Sequence, residues 1–239
     1  MNNSFIKSFL TVKRDTKTIS LDCSSFKQLL NIDGFPKEQL IDIYGLEDSG
    51  KTAYILHIIA QLQKKDHFVA YIDADNKLNY NYMAYEGIDT ENLVVLGSNK
   101  EKEVMDFITN VLSQKVFSLL VIDSLPAIIS EKELNDSMAI NHKQNVINEI
   151  IQKTANLIVG SNCTVIFISQ LRNGLNGSLI EVGKKAFNMY SSISIKMEKQ
   201  KDIFNEGNKI GERLNLIAEK NKLSTTLNNV HYDLLFQWN

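Results

Sequence analysis

Short aliphatic runs alternate along this chain with stretches in which apolar side chains recur every three or four positions. The runs are Ile41–Tyr44, Phe68–Ile72, Leu93–Leu96, Leu119–Ile122 and Thr164–Ile168. A strand that is apolar on both faces needs cover on both, as in a parallel sheet whose crossovers are helices. Helical spacing falls between the runs. Lys51–Lys65 carries Ile55, Ile58, Ile59 and Leu62 on one side, Glu101–Ser113 carries Val104, Ile108, Val111 and Leu112, and Asn141–Val159 is the longest candidate. After Gln170 the pattern changes. Leu171–Lys185 is rich in Gly, Asn and Lys and predicts a loop, and Ile193–Met197, Arg213–Glu219 and Val230–Phe236 predict strands without helices between them. The expected fold is α/β, a mostly parallel central sheet with helices on both faces and an antiparallel C-terminal extension.

Composition adds bounds. The 239 residues are 44% hydrophobic and 23% charged, which suits one α/β domain with a full core. No run of about 18 apolar residues predicts a membrane span. Met1–Leu10 lacks the basic start and apolar run of a signal peptide. Cys23 and Cys163 have no histidines at metal-ligand spacing and read as reduced core thiols, so a cytoplasmic protein is expected. A net charge of −2 gives no vote for nucleic acid, although a local basic groove remains compatible with it.

The chemistry concentrates at Gly45-Leu46-Glu47-Asp48-Ser49-Gly50-Lys51-Thr52, a full match to G-x-x-x-x-G-K-[ST] between an apolar run and a helix. Glycines let successive backbone N–H groups turn inward toward phosphate oxygens, and the helix N-terminus adds a favourable dipole. Lys51 is expected at the β- and γ-phosphates and the Thr52 hydroxyl on Mg²⁺. Asp123, closing Leu119–Ile122, is the second metal candidate. ATP and Mg²⁺ are therefore the expected cofactors.

Several further segments, in order around this loop, resemble the RecA-like recombinase family. Gly34-Phe35-Pro36 and Ile41-Asp42-Ile43-Tyr44 are similar to its lead-in, and Tyr71-Ile72-Asp73-Ala74-Asp75 to a strand that ends there in Asp-Ala-Glu. The resemblance implies that Asp75 stands where the family has its catalytic glutamate. It implies Tyr82 as the residue stacked on adenine, and Gln170, in Ile168-Ser169-Gln170-Leu171-Arg172, as the sensor of the γ-phosphate. Lys220-Asn221-Lys222 matches a motif in which both lysines reach a neighbouring subunit's ATP. Taken alone, Tyr82 reads equally as packing, Asp75 as a strand-end cap, and the two lysines as a solvated edge.

The resemblance also implies single-stranded DNA as a partner and head-to-tail self-assembly. Its two DNA-binding loops would lie within Ser130–His142 and Asn173–Lys185, both short here, with Lys143, Arg172, Lys184 and Lys185 as basic candidates that read otherwise as solvated surface. Ser8–Val12 is similar to the segment that adds to the next subunit's sheet. The expected division is a short oligomerisation segment over 1–30 and an ATPase core over 31–239, a core-only relative of the family. Shortening Glu to Asp at position 75 displaces a carboxylate by about 1 Å, which implies slow hydrolysis. Two function classes follow: a DNA-dependent ATPase of recombination or repair, and an ATP-switched filament scaffold without strand exchange. A P-loop kinase would leave Lys220-Asn221-Lys222 unexplained.

Overall fold

A computed structural model of the chain describes residues 18–20, 24–32, 34–130, 140–173, 179–224 and 228–236. Among these, the elements in chain order are β1 (Thr18–Ser20), α1 (Ser24–Leu30), β2 (Gly34–Pro36), β3 (Leu40–Gly45), α2 (Lys51–Gln63), β4 (Phe68–Asp73), α3 (Tyr80–Tyr85), β5 (Leu93–Leu96), α4 (Glu101–Gln114) and β6 (Phe117–Asp123). A 3₁₀ turn (Leu125–Ala127) follows, then α5 (Ile140–Leu157), β7 (Thr164–Asn173), β8 (Leu179–Glu181), α6 (Lys184–Tyr190), β9 (Ile193–Asn205), β10 (Asn208–Asn221) and β11 (Asn229–Leu235).

The main sheet runs β11-β10-β9-β3-β7-β6-β4-β5, with β8 paired to β7. From β9 to β5 all pairings are parallel, whereas β9–β10, β10–β11 and β7–β8 are antiparallel. The parallel core and antiparallel extension expected from the sequence are both present. Alternation of side chains decides what covers each face. Ile41, Ile43, Val69, Tyr71, Leu119, Val121, Ile166 and Ile168 join α1 and α2 in one buried cluster. Leu40, Ala70, Ile72, Leu120, Ile122, Val165 and Phe167 join α4, α5 and α6 in the other.

Some boundaries differ from the sequence reading. Within the expected loop Leu171–Lys185, β7 continues to Asn173, Leu179–Glu181 pair with it as β8, and Lys184 opens α6. Residues 174–178, and 131–139 of the first expected DNA-binding loop, lie outside the described residues, as does Ser8–Val12. The expected strands Ile193–Met197 and Arg213–Glu219 extend into a long hairpin, β9–β10. Glu206 (φ 49°) and Gly207 (φ 83°) form its turn, the left-handed pair that hairpin twist favours. Its outer half escaped the sequence reading because ladder hydrogen bonds and charge pairs hold it rather than burial. Lys199 and Lys209 each pair with both Asp202 and Glu212 there. Ile19, Phe26, Leu29 and Leu30, from the expected 1–30 segment, are buried in the same cluster as β3 and α2.

Candidate functional site

β3 delivers the chain at Gly45 into a turn that α2 leaves at Lys51, at the carboxyl ends of the parallel strands. Gly45 is required by contacts, and Gly50 by contact as well as by conformation. A Cβ on Gly45 would stand 2.2 Å from the Met197 carbonyl oxygen, and Gly50 sits at φ 80° with Leu214 Cδ1 2.8 Å from where its Cβ would be. The extension therefore packs directly on the turn. Lys51 Nζ donates to the carbonyl oxygen of Leu46 at 2.7 Å, to Ser49 Oγ at 3.1 Å and to the Gly45 carbonyl oxygen at 3.3 Å. Burial pulls the Lys51 pKa below the ordinary lysine range, and the carboxylates of Asp123, Asp48 and Glu47 oppose that shift.

β4 and β6 end in register at Asp73 and Asp123. Asp123 Oδ2 accepts the Thr52 hydroxyl at 2.6 Å and the Tyr71 hydroxyl at 2.7 Å. Burial raises the Asp123 pKa first of all; these two hydrogen bonds and Lys51 work against it, and Asp75 adds to it. Tyr71 stays a phenol, since burial and the surrounding carboxylates push its pKa far up. Asp75 Oδ2 accepts the Ser124 hydroxyl at 2.7 Å. Asp73 accepts the backbone N–H of Lys77 at 3.0 Å and of Leu78 at 2.9 Å, and so folds the chain back after Asp75.

These groups surround a cavity of about 460 Å³. Its wall holds residues 47–52 of the turn, Asp75, Asp123 and Gln170, which β7 places in register with Gly45. Lys199 and Glu212, from the hairpin, also line it. A glycine-bearing turn and a buried lysine lining the cavity suit phosphate oxygens, and a hydroxyl bound to a strand-end carboxylate suits a hydrated Mg²⁺. A hydroxyl and a carboxylate side by side are a donor set that fits a metal held together with phosphate oxygens.

Other expected residues lie elsewhere. Tyr82 is half-buried on α3, packed against the first core cluster, with its hydroxyl toward Glu86. It is not among the residues that line the cavity. Lys220 Nζ donates to the carbonyl oxygens of Phe187 (2.8 Å) and Asn188 (2.9 Å) and to Ser191 Oγ (3.1 Å); Lys222 Nζ donates to the Met189 carbonyl oxygen at 3.2 Å. Within the chain both lysines close the C-terminal end of α6 instead of touching the turn between Gly45 and Lys51. Asn221 ties their turn to α1 through the Leu30 carbonyl oxygen at 3.0 Å. Arg172 and Lys185 are exposed, and Lys143 is half-exposed on α5. Lys184 lies 3.6 Å from Glu181 and 5.9 Å from the centre of the Tyr44 ring.

Four residues of the site escaped the sequence reading as functional: Tyr71, Ser124, Lys199 and Glu212. Position beside a named carboxylate was an available signal for the first two. None existed for the hairpin pair, which only the antiparallel fold-back brings to the cavity.

The profile of the RecA N-terminal domain matches residues 2–238. Protein RecA of Clostridium tetani is 30% identical over 229 residues, covering 93% of this chain and 65% of that protein. Protein RecA of Mycoplasma mycoides is 33% identical over 214 residues, covering 87% and 62%. Protein RecA of Campylobacter lari is 30% identical over 229 residues, covering 92% and 65%. The chain thus spans less than two thirds of the length of these relatives.

Proposed function

Since the chain belongs to the RecA N-terminal domain family, we propose that it binds ATP with Mg²⁺, assembles head to tail on single-stranded DNA, and acts in homologous recombination or repair with slow ATP hydrolysis. The observation that carries this reading is the phosphate turn: a buried Lys51 and the Thr52–Asp123 hydrogen bond facing one cavity at the strand ends.

When bound, Mg²⁺ supplies positive charge against the phosphates. The chain's own residues do the rest. Backbone N–H groups of 46–51 and the Lys51 ammonium bind the triphosphate tail, exchanging Lys51's contacts with carbonyl and hydroxyl oxygens for phosphate oxygens. Thr52 presents its lone pairs to the ion while its proton rests on Asp123. Asp75, oriented by Ser124, accepts a proton from the attacking water. Gln170 reports the γ-phosphate to β7 and the segment beyond it. Tyr82 supports the base. Lys220 and Lys222 serve a neighbouring subunit's nucleotide, and Arg172, Lys143, Lys184 and Lys185 the DNA backbone. A heterologous contact of this kind need not close, so an open filament is natural.

Calorimetry with magnesium nucleotide tests the first step: wild type gives saturable heat and Lys51→Ala gives none. Heat that survives in Lys51→Ala rejects the site. A second reading, an ATP-switched scaffold without strand exchange, is favoured by the short carboxylate at Asp75 and by the pairing of Lys184 with Glu181. Binding of single-stranded oligonucleotides at two salt concentrations separates the two. Tight, salt-sensitive, ATP-dependent binding supports the recombinase, and ATP-dependent filaments with no DNA affinity support the scaffold.

A further inference from the structure

Tyr71 is 0% exposed on β4, two residues before the strand ends. A tyrosine so deeply buried needs a partner for its hydroxyl. That partner is Asp123 Oδ2, the atom that also accepts the Thr52 hydroxyl. Two donors from different elements, β4 and α2, thus meet on one carboxylate oxygen. An sp² oxygen offers two lone pairs, so Oδ2 is filled and the carboxylate is held in a single rotation. Asp123 itself lines the cavity.

We propose that Tyr71 is a positioning residue for metal–nucleotide binding: its hydroxyl fixes the Asp123 carboxylate so that Thr52 keeps its proton on Oδ2 and its lone pairs toward the ion. This rests on the nucleotide reading above and deepens it. A hydroxyl that ligates a cation must direct its hydrogen elsewhere, and the acceptor that takes the hydrogen sets where the lone pairs point. Without the phenol, one donor holds a part-buried carboxylate that is free to rotate, and the Thr52 hydroxyl follows it. The ring has a separate task, since Tyr71 also belongs to the core cluster with α2. Phe at this position keeps that packing and removes only the hydrogen bond.

The experiment titrates Mg²⁺ into wild type and Tyr71→Phe with a fixed amount of a fluorescent ADP analogue, and measures affinity for the same analogue in EDTA. The expected result is a magnesium requirement about tenfold higher in Tyr71→Phe, in line with partners of metal-bound groups elsewhere, with affinity in EDTA unchanged. An unaltered magnesium requirement overturns the proposal, and so does an equal loss in both conditions, which would report general damage to the phosphate turn. A wild-type chain that binds no nucleotide removes the reading itself, and the proposal with it. If Tyr71→Phe does not fold, the Tyr71 hydroxyl proton in isotope-labelled wild type decides. Its resonance is expected to shift when Mg²⁺ and ADP are added together but not with ADP alone, and no difference between the two overturns the assignment.

Discussion

Lys220 Nζ lies 2.8 Å from the carbonyl oxygen of Phe187, so a lysine at the end of β10 closes the last turn of α6. Cations at helix C-termini neutralise the unpaired carbonyls and the dipole, a contribution of about 0.3–1 kcal/mol at exposed sites. Burial, with Lys222 next to it, pulls the Lys220 pKa down to about 8. For a lysine shifted this way the charge is full below about pH 7 and fades as pH passes 8, well before a free lysine would titrate. If the ammonium group serves a neighbour's nucleotide, ATP-dependent assembly followed by light scattering weakens between pH 7 and 9. Lys220→Met abolishes it while leaving nucleotide binding by the subunit intact. Assembly that is flat across this range would show that the charge of Lys220 has no part in it.

A second titration belongs to the core. Asp42 is fully buried in the middle of β3, with Oδ1 accepting Ser169 Oγ at 3.3 Å and Oδ2 finding no protein donor among the described residues. Its neighbour is another carboxyl group, Glu181 of β8, with Lys184 beside it. Burial foremost, then Glu181, raises the Asp42 pKa; burial foremost raises that of Glu181. A proton held between the two carboxyl groups would satisfy the orphaned oxygen. Both folded-state pKa values lie above the unfolded ones, so this contribution is complete below about pH 4 and is lost as pH rises through the folded values. Asp42→Asn supplies a permanent N–H donor. It is expected to flatten the decline in melting temperature from pH 5 to 9 and to stabilise the protein at pH 8, by about 1.4 kcal/mol for every tenfold by which folding tightens the pair's hold on its proton. A variant that melts lower than wild type at pH 8 would show that the pair carries no shared proton.

Asp75→Glu tests the cost of the short carboxylate. Restoring the missing methylene should raise steady-state ATP turnover by about 10–100-fold, with nucleotide affinity little changed. Turnover equal to or below wild type would mean that Asp75, held by Ser124, already stands where the water needs it.

Gly45→Ala places a methyl group 2.2 Å from the Met197 carbonyl oxygen, an atom of a central strand that cannot step aside. Overpacking of this kind costs about 1–3 kcal/mol or more. The variant should denature earlier in urea and lose nucleotide binding. By contrast, alanine at Gly207, where a Cβ meets nothing within 4 Å, should cost only the strain of a left-handed turn residue.

The parallel core was legible because a strand covered on both faces cannot alternate: Leu119–Ile122 and Phe68–Ile72 announce themselves as apolar runs. The turn between β3 and α2 was legible because backbone conformation there admits few residues, and Gly50 in the left-handed region is one such demand. α3 was not legible: six residues capped by Asn79, with Met83 its only buried side chain, carry too little periodicity. Neither was α6, where Lys184 and Lys185 in a Gly- and Asn-rich stretch read as loop, and where burial of Phe187 in the second core cluster and capping by Lys220 and Lys222 stabilise the helix through distant parts of the chain.

By itself, the order of residues determined which segments would be strands of a parallel sheet and where the glycine-bearing turn between β3 and α2 would fall, since both are local consequences of side-chain alternation and backbone freedom. Tertiary structure alone decided that Tyr71 and Thr52 would meet on one oxygen of Asp123, that Asp42 would face Glu181, and that Lys199 and Glu212 would reach the cavity. Those contacts join residues far apart in the chain, and no local propensity encodes a distance that arises only when separate strands pack side by side.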